Sequence, residues 1–167
     1  MLSNGLKVLT PTDTTIVLTR DFSAPRRLVW EAMFTPDKMR RWMLPPPGWT
    51  LSVCECDARV GGVLRVAWRS DDADPAMTLQ GTFTSVEHLA QATHTETMVA
   101  GGWLGSGKVV GSLVEMHEFA ERDGVTSMRI TQRYESKDAR DGALASGMDE
   151  GMEACYKQLD EVLSKPA

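Results

Sequence analysis

Residues 19–49 read TRDFSAPRRLVWEAMFTPDKMRRWMLPPPGW. The segment running into this stretch, TTIVLTRDF over 14–22, is rich in β-branched types and reads as a strand. Ser23 or Ala24 stands where a helix begins, and Pro25 suits its first turn, where a missing N–H costs nothing. Leu28, Val29, Ala32 and Met33 then recur at helical spacing. A second short helix is expected from TPDKMRRWM, with Thr35 as N-cap and Pro36 at its first position. The three prolines of LPPPGW, residues 44–49, stop it by removing donors and fixing φ.

Downstream the periodicity changes. Strands are expected near 49–57, 63–70, 77–87, 91–99, 108–121 and 125–136. Gly61-Gly62, DDADP, GGWLGSG and Asp123-Gly124 separate them, and such short links imply an antiparallel meander. Residues 138–164 read as one long helix, with Met148, Met152, Cys155, Tyr156, Leu159 and Val162 at steps of three and four. Gly147 and Gly151 lower its propensity and are expected to narrow that face. The fold class is therefore α+β: a curved antiparallel sheet of about seven strands wrapped around a long C-terminal helix, with two short helices after the first strand. A gap between sheet and helix is a natural place for a cavity. Residues 1–13, broken by Gly5 and Pro11, are expected to form a flexible arm, and 14–167 a single domain.

Composition narrows the partners. A net charge of −5 argues against nucleic acid or an anionic membrane surface. Cys54, Cys56 and Cys155 make an odd set without framework spacing, which fits reduced thiols in a cytoplasmic protein. No signal peptide is expected from MLSNGLKVLTPTDTT, and no apolar run approaches the ~18 residues of a membrane span. A monomer and a homodimer fit equally well, and no cofactor is expected.

The polar anomalies lie on two strands. His94, Glu96 and Met98 share one face of 91–99, and Glu115, His117 and Phe119 share one face of 108–121. A hairpin through AGGWLGSG puts His94 across from or diagonal to Glu115, and Glu96 near Leu113 or Glu115. Trp68, Phe83 and Tyr134, with Met148 and Met152 of the helix, would supply apolar walls. On the first strand of the meander, Val53 and Glu55 are expected to face the same way. Three readings stay open. The four ionisable groups line a polar pocket, or a bulge turns them to water, or His-x-Glu and Glu-x-His hold a metal. No recognised metal motif is present, and none is expected to be bound. For acid–base chemistry the candidates are His117, Glu115, His94 and Glu96, but no nucleophile motif accompanies them. Trp30 and Trp42 read as packing residues, Trp103 as a possible lid, and Asp57 with Arg59 as a pair setting up the Gly61-Gly62 turn.

Several elements together resemble the START-like (SRPBCC, helix-grip) superfamily, in its branch related to the activator of heat-shock protein 90 ATPase. They are Arg20, Ala24-Pro25, Val29-Trp30, Trp42, Pro45 and Gly48, then Asp57, Arg59, Gly61 and Gly62 of CDARVGG. GTFTSVEHL, FAERDGVT and GMDEGMEACYKQL fit its later blocks. The resemblance implies a helix-grip fold with a cavity. It does not imply one activity, since members bind lipids, hormones and polyketides, and some are cyclases or hydrolases. This sequence departs from the pattern at Met152, usually aromatic, and at His94, Glu96, Glu115 and His117, usually apolar. The expectation is a binder of a small hydrophobic molecule. A cyclase- or hydrolase-like enzyme is the alternative, and a chaperone partner ranks last.

Overall fold

The computed structural model describes residues 5–71, 76–101 and 107–165. The chain runs β1 (Lys7–Thr12), β2 (Thr15–Phe22), α1 (Arg26–Phe34), α2 (Pro36–Met39), β3 (Trp49–Cys56) and β4 (Val63–Ser70). It continues through β5 (Ala76–Glu87), β6 (Gln91–Ala100), β7 (Lys108–Arg122), β8 (Val125–Tyr134), α3 (Lys137–Ala145) and α4 (Met148–Ser164). All strands form one antiparallel sheet in the order β1-β2-β8-β7-β6-β5-β4-β3. The expected α+β helix-grip architecture is thus present. Among the described residues no helix is long and apolar enough to cross a membrane.

Four details differ from the sequence reading. Lys7–Thr12, expected to lie in a loose arm, pairs with β2 and makes the sheet eight-stranded rather than seven-stranded. An edge strand needs little apolar content, since one partner satisfies half its backbone. The C-terminal helix is not continuous, because Gly147 at φ +76° separates α3 from α4. Only glycine takes that conformation without strain. Gly151 is exposed with open space around it, so it narrows no packed face. Finally, a register shift between Leu51 and Val53 turns β3 over. Cys54 is buried there instead of Val53, and Glu55 points outward to Arg65 at 3.2 Å. The DDADP turn and Trp103 fall wholly or largely outside the described residues.

The core lies between the concave face of the sheet and α1, α2 and α4. Ile16, Leu18, Arg20 and Phe22 alternate along the inner face of β2, and all are buried. Tyr156 of α4 lies against the Phe22 ring at 5.8 Å and the Trp42 ring at 5.7 Å. Trp42 also donates its indole N–H to the Ala32 carbonyl at 2.8 Å, tying the end of α2 to α1. Each large side chain fully buried here contributes about 1.5–3 kcal/mol. Both tryptophans of this layer, Trp30 and Trp42, are packing residues as expected.

One ion-pair cluster fixes α4 on the sheet. The buried Arg20 guanidinium donates to Glu153 at 3.1 Å and to both oxygens of Asp160 at 3.0 and 2.7 Å. Burial pushes Arg20 toward losing its proton, but the two carboxylates outweigh this and raise its pKa further. Glu153 also accepts the Leu6 backbone N–H at 3.0 Å, so β1 joins the same cluster. At the far edge, Arg59 pairs with Asp57 at 2.7 Å beside the Gly61-Gly62 turn. A side chain on Gly62 would sit 1.9 Å from the Asp57 carbonyl oxygen, so glycine is required there.

Replacing Arg20 by Ala leaves two acids under α4 without their cation. The expected loss is about 2–3 kcal/mol, below the ~3–5 kcal/mol of a fully buried pair because the carboxylates are partly exposed. Urea denaturation checks this, and a parent-like midpoint would show that the cluster does not secure α4.

Candidate functional site

The inner face of the sheet is organised in rows across the strands. One row reads Phe83, His94, Glu115, Gln132 and Ile16 through direct register pairs. A second reads Val86, Ala92, His117, Ile130 and Leu18. A third carries Glu96, Leu113 and Tyr134. The register that joins His94 to Glu115, and Glu96 to Leu113, is among those the hairpin allowed. It brings the polar residues inward, so the solvent-facing reading does not hold: His94 is 2% exposed, Glu115 and His117 each 7%. A bulge between Phe83 and Ser85 accompanies the row. Close by, a side chain on Gly81 would stand 1.6 Å from the Thr95 carbonyl oxygen.

Glu115 is the hub. One carboxylate oxygen lies 2.7 Å from His117 Nε2 and 3.7 Å from His94 Nε2. The other accepts from Gln132 Nε2 at 2.6 Å, and Gln132 Oε1 accepts from the Tyr134 hydroxyl at 3.0 Å. That hydroxyl also lies 3.7 Å from Met148 Sδ, where α4 begins. Burial pushes the Glu115 carboxyl up, but His117 above all, with the Gln132 amide, outweighs it and holds the pKa at about 2. Glu115 is therefore an anion, and His117 must donate its Nε2 proton to it. His117 Nδ1 is then buried with no partner among the described residues.

His94 is oriented differently. Its Nδ1 lies 3.1 Å from the Thr95 carbonyl oxygen, which can only accept, so Nδ1 carries the proton. Burial lowers the His94 pKa, partly opposed by Glu115, which favours the neutral ring. Its Nε2 lone pair thus faces the Glu115 carboxylate across 3.7 Å with no proton between them. Glu96, half-buried, is held well above the usual carboxyl range by burial and by the Glu115 charge. The same causes, burial first, raise Tyr134, which stays a phenol.

The environment differs along the face. Phe34 of α1 packs edge-on to His117 at 5.5 Å and to Phe83 at 5.9 Å, and Phe83 packs edge-on to His94 at 5.3 Å. Phe119 and Trp30 complete this dry end. Elsewhere the expected lining is only half-buried: Trp68, Met98, Tyr134, Met148 and Met152. Two open clefts lie elsewhere. One of about 530 Å³ lies beside Thr19, Asp21, Glu118 and Arg129, and one of about 370 Å³ lies between Leu6 and Lys157. Neither includes His94, Glu96, Glu115 or His117.

The structure brings His94, Glu115, His117, Phe83 and Phe119 into one buried cluster, with Glu96 and Tyr134 beside it. Trp68, Met98, Met148 and Met152 are half-buried, and Met148 meets the cluster through the Tyr134 hydroxyl. Gln132 and Phe34 were not among the predicted site residues. Gln132 was detectable as a polar residue on the inner face beside Tyr134. Phe34 carried no signal beyond its place on an amphipathic helix.

Residues 23–164 match the model of the family described as activator of Hsp90 ATPase homolog 1-like protein, and the chain belongs to that family. A structure of a Rhodobacter sphaeroides protein superposes with a TM-score of 0.85 at 22% identity, covering 96% of this chain and 98% of that one. One from Mycobacterium smegmatis gives 0.82 at 21% identity, with the same coverages of 96% and 98%. A third, from Arthrobacter aurescens, gives 0.76 at 24% identity, covering 96% and 92%. At these identities the likeness is one of fold. No curated protein matches the chain.

The two acids set opposite pH dependences. Glu115, lowered from 4.5 to about 2, adds stability above pH 4.5 that is lost as pH falls toward 2. Glu96, raised above 4.5, costs nothing below that value and progressively more as pH rises toward its folded pKa. Glu96→Gln is therefore expected to match the parent near pH 4 and to exceed it at pH 8 by about 1–3 kcal/mol. Urea denaturation at both pH values checks this, and a variant less stable than the parent at pH 8 would contradict it.

Proposed function

We propose that the protein binds a small, largely apolar molecule bearing one hydrogen-bonding group, at the half-buried end of the concave face. One observation carries this reading. The hydrogen-bond chain His117–Glu115–Gln132–Tyr134 runs from the dry, phenylalanine-lined end to the half-exposed lining at the start of α4. A polar chain is expensive inside a protein unless each member is satisfied. Here it ends at a phenol and a neighbouring carboxyl, Tyr134 and Glu96, among half-buried methionines and Trp68. Such a lining is typical of sites that take apolar ligands with a few placed polar contacts. Methionine suits it because its flexible thioether adapts to ligand shape.

The roles follow from position. Trp68, Met98, Met148 and Met152 contact the apolar body. Tyr134 and Glu96 meet the polar group, Tyr134 as a hydroxyl and Glu96 as a carboxyl that burial and the Glu115 charge push toward its protonated form. Glu115, Gln132 and the two imidazoles fix Tyr134 from behind. Family membership supports the reading, and the conjunction of a rigid polar chain with an adaptable rim gives it chemical content.

Thermal-shift screening with fatty acids, flavonoids and aromatic polyketides, in the presence of chelator, tests the proposal. A ligand at a hundredfold excess over its Kd should stabilise by about 2.7 kcal/mol, a rise of roughly 5–10 °C. Met152→Glu should abolish the shift while leaving the free protein folded. Absence of any shift, or a shift unchanged in Met152→Glu, would overturn the assignment.

A further inference from the structure

We propose that His94, Glu115 and His117 form a mononuclear site for a transition-metal dication, with zinc as the favoured ion. One donor atom of each residue lies within 4.8 Å of those of the other two, and all three side chains are buried. Two imidazoles and one carboxylate are a donor set that holds zinc with one coordination position left open. Imidazole donors also favour zinc and its neighbours over magnesium and calcium, which prefer all-oxygen sites.

The protein alone does not complete the arrangement around His94 Nε2. His94 Nδ1 gives its proton to the Thr95 carbonyl, so the Nε2 lone pair faces Glu115 Oε1 at 3.7 Å. Two acceptors face each other with no donor between them. A cation in that space turns the repulsion into two bonds. The supports expected behind metal ligands are present as well. Thr95 fixes the tautomer of His94, and Gln132 holds the other oxygen of Glu115 at 2.6 Å, leaving Oε1 for the ion. The third ligand is close by: His117 Nε2 donates to the same oxygen at 2.7 Å and becomes a ligand only when the ion displaces that hydrogen bond. Coordination through Nε2 requires that nitrogen's proton to leave, a neutral ring then carrying its proton on Nδ1. In the metal-free arrangement Glu115 holds the proton on Nε2, so the ion must displace that hydrogen bond, and Nδ1, without a partner among the described residues, is the position that takes the proton.

The sheet makes the site stiff. His94 and Glu115 are direct register partners on adjacent strands, and His117 is two residues along β7 from Glu115 on the same face. The rings of His94 and His117 lie 5.6 Å apart and 29° from parallel, braced by Phe83 and Phe34. Glu96 shares the face two residues from His94. This replaces the expectation, drawn from the lack of a recognised motif, that no metal is held. It is also independent of the organic-ligand reading, which is tested under chelator, whereas metal alone tests this one.

The experiment uses the full chain stripped with chelator and titrated with Zn²⁺, then with Co²⁺ as a spectroscopic probe. The expected result is one ion per chain, a Zn²⁺ affinity in the micromolar range or tighter, and visible cobalt bands of a four- or five-coordinate site. His94→Gln and His117→Gln should each weaken binding at least tenfold. His88→Gln, which removes the one remaining imidazole of the three in the sequence, should leave it unchanged. Should either site variant fail to fold, paramagnetically shifted ring protons in the Co²⁺-loaded parent identify the ligands without substitution. Cobalt bands of the aquo ion, binding lost in His88→Gln, or shifted signals from His88 alone would overturn the proposal.

Discussion

A buried carboxylate, Glu115, sits at the centre of a polar row on the concave face of the sheet, and the surrounding structure is arranged to keep it charged. Removing such a group from water costs several kcal/mol unless donors replace the solvent. The sheet register provides them. Gln132 comes from β8, directly opposite Glu115, and His117 from the same strand. His94 comes from β6, also directly opposite, but turns its proton away to Thr95. A one-residue slip in either pairing would send these groups to the other face. The polar cluster and the strand register therefore specify one another.

The rest of the molecule sets the dielectric around that hub. Trp30 and Phe34 of α1 close one end against Phe83 and Phe119, which keeps water from the imidazoles. Arg20 holds α4 over the sheet through Glu153 and Asp160, so the helix is anchored along its length by charge as well as by Tyr156 and Leu159. The start of α4 is held more loosely: Met148 and Met152 are only half-buried, and Gly147 separates the helix from α3. The result is a stiff, dry end joined by hydrogen bonds to a softer, partly open one. That gradient is what makes the face suited to holding something rather than only to packing.

Much of this was legible in the sequence because two periodicities are strong. Alternation on β6 and β7, with a glycine-rich turn between them, narrowed His94 to a position across from or diagonal to Glu115, while leaving open whether the pair faced inward. Helical spacing with Pro25 and Pro36 placed α1 and α2. The misses have physical causes. β1 is an edge strand with few apolar residues, so it carries little hydrophobic signal. The bulge between Leu51 and Val53 reverses β3 and depends on how β3 meets β4, which no local pattern reveals. Gly147 was visible, but propensity alone does not say whether a glycine weakens a helix or ends it. Which way each ring nitrogen points also lay beyond the sequence, because it depends on a backbone carbonyl one residue away and on a glutamine from another strand.

The account turns on a charged Glu115 enclosed between two differently oriented imidazoles. Nitrogen-detected NMR of the histidine rings in metal-free protein near neutral pH addresses this directly. The structure predicts a neutral His94 ring protonated at Nδ1, and a His117 Nε2–H that exchanges far more slowly than the ring protons of exposed His88. A His94 ring protonated at Nε2, or His117 exchanging as fast as His88, would contradict it.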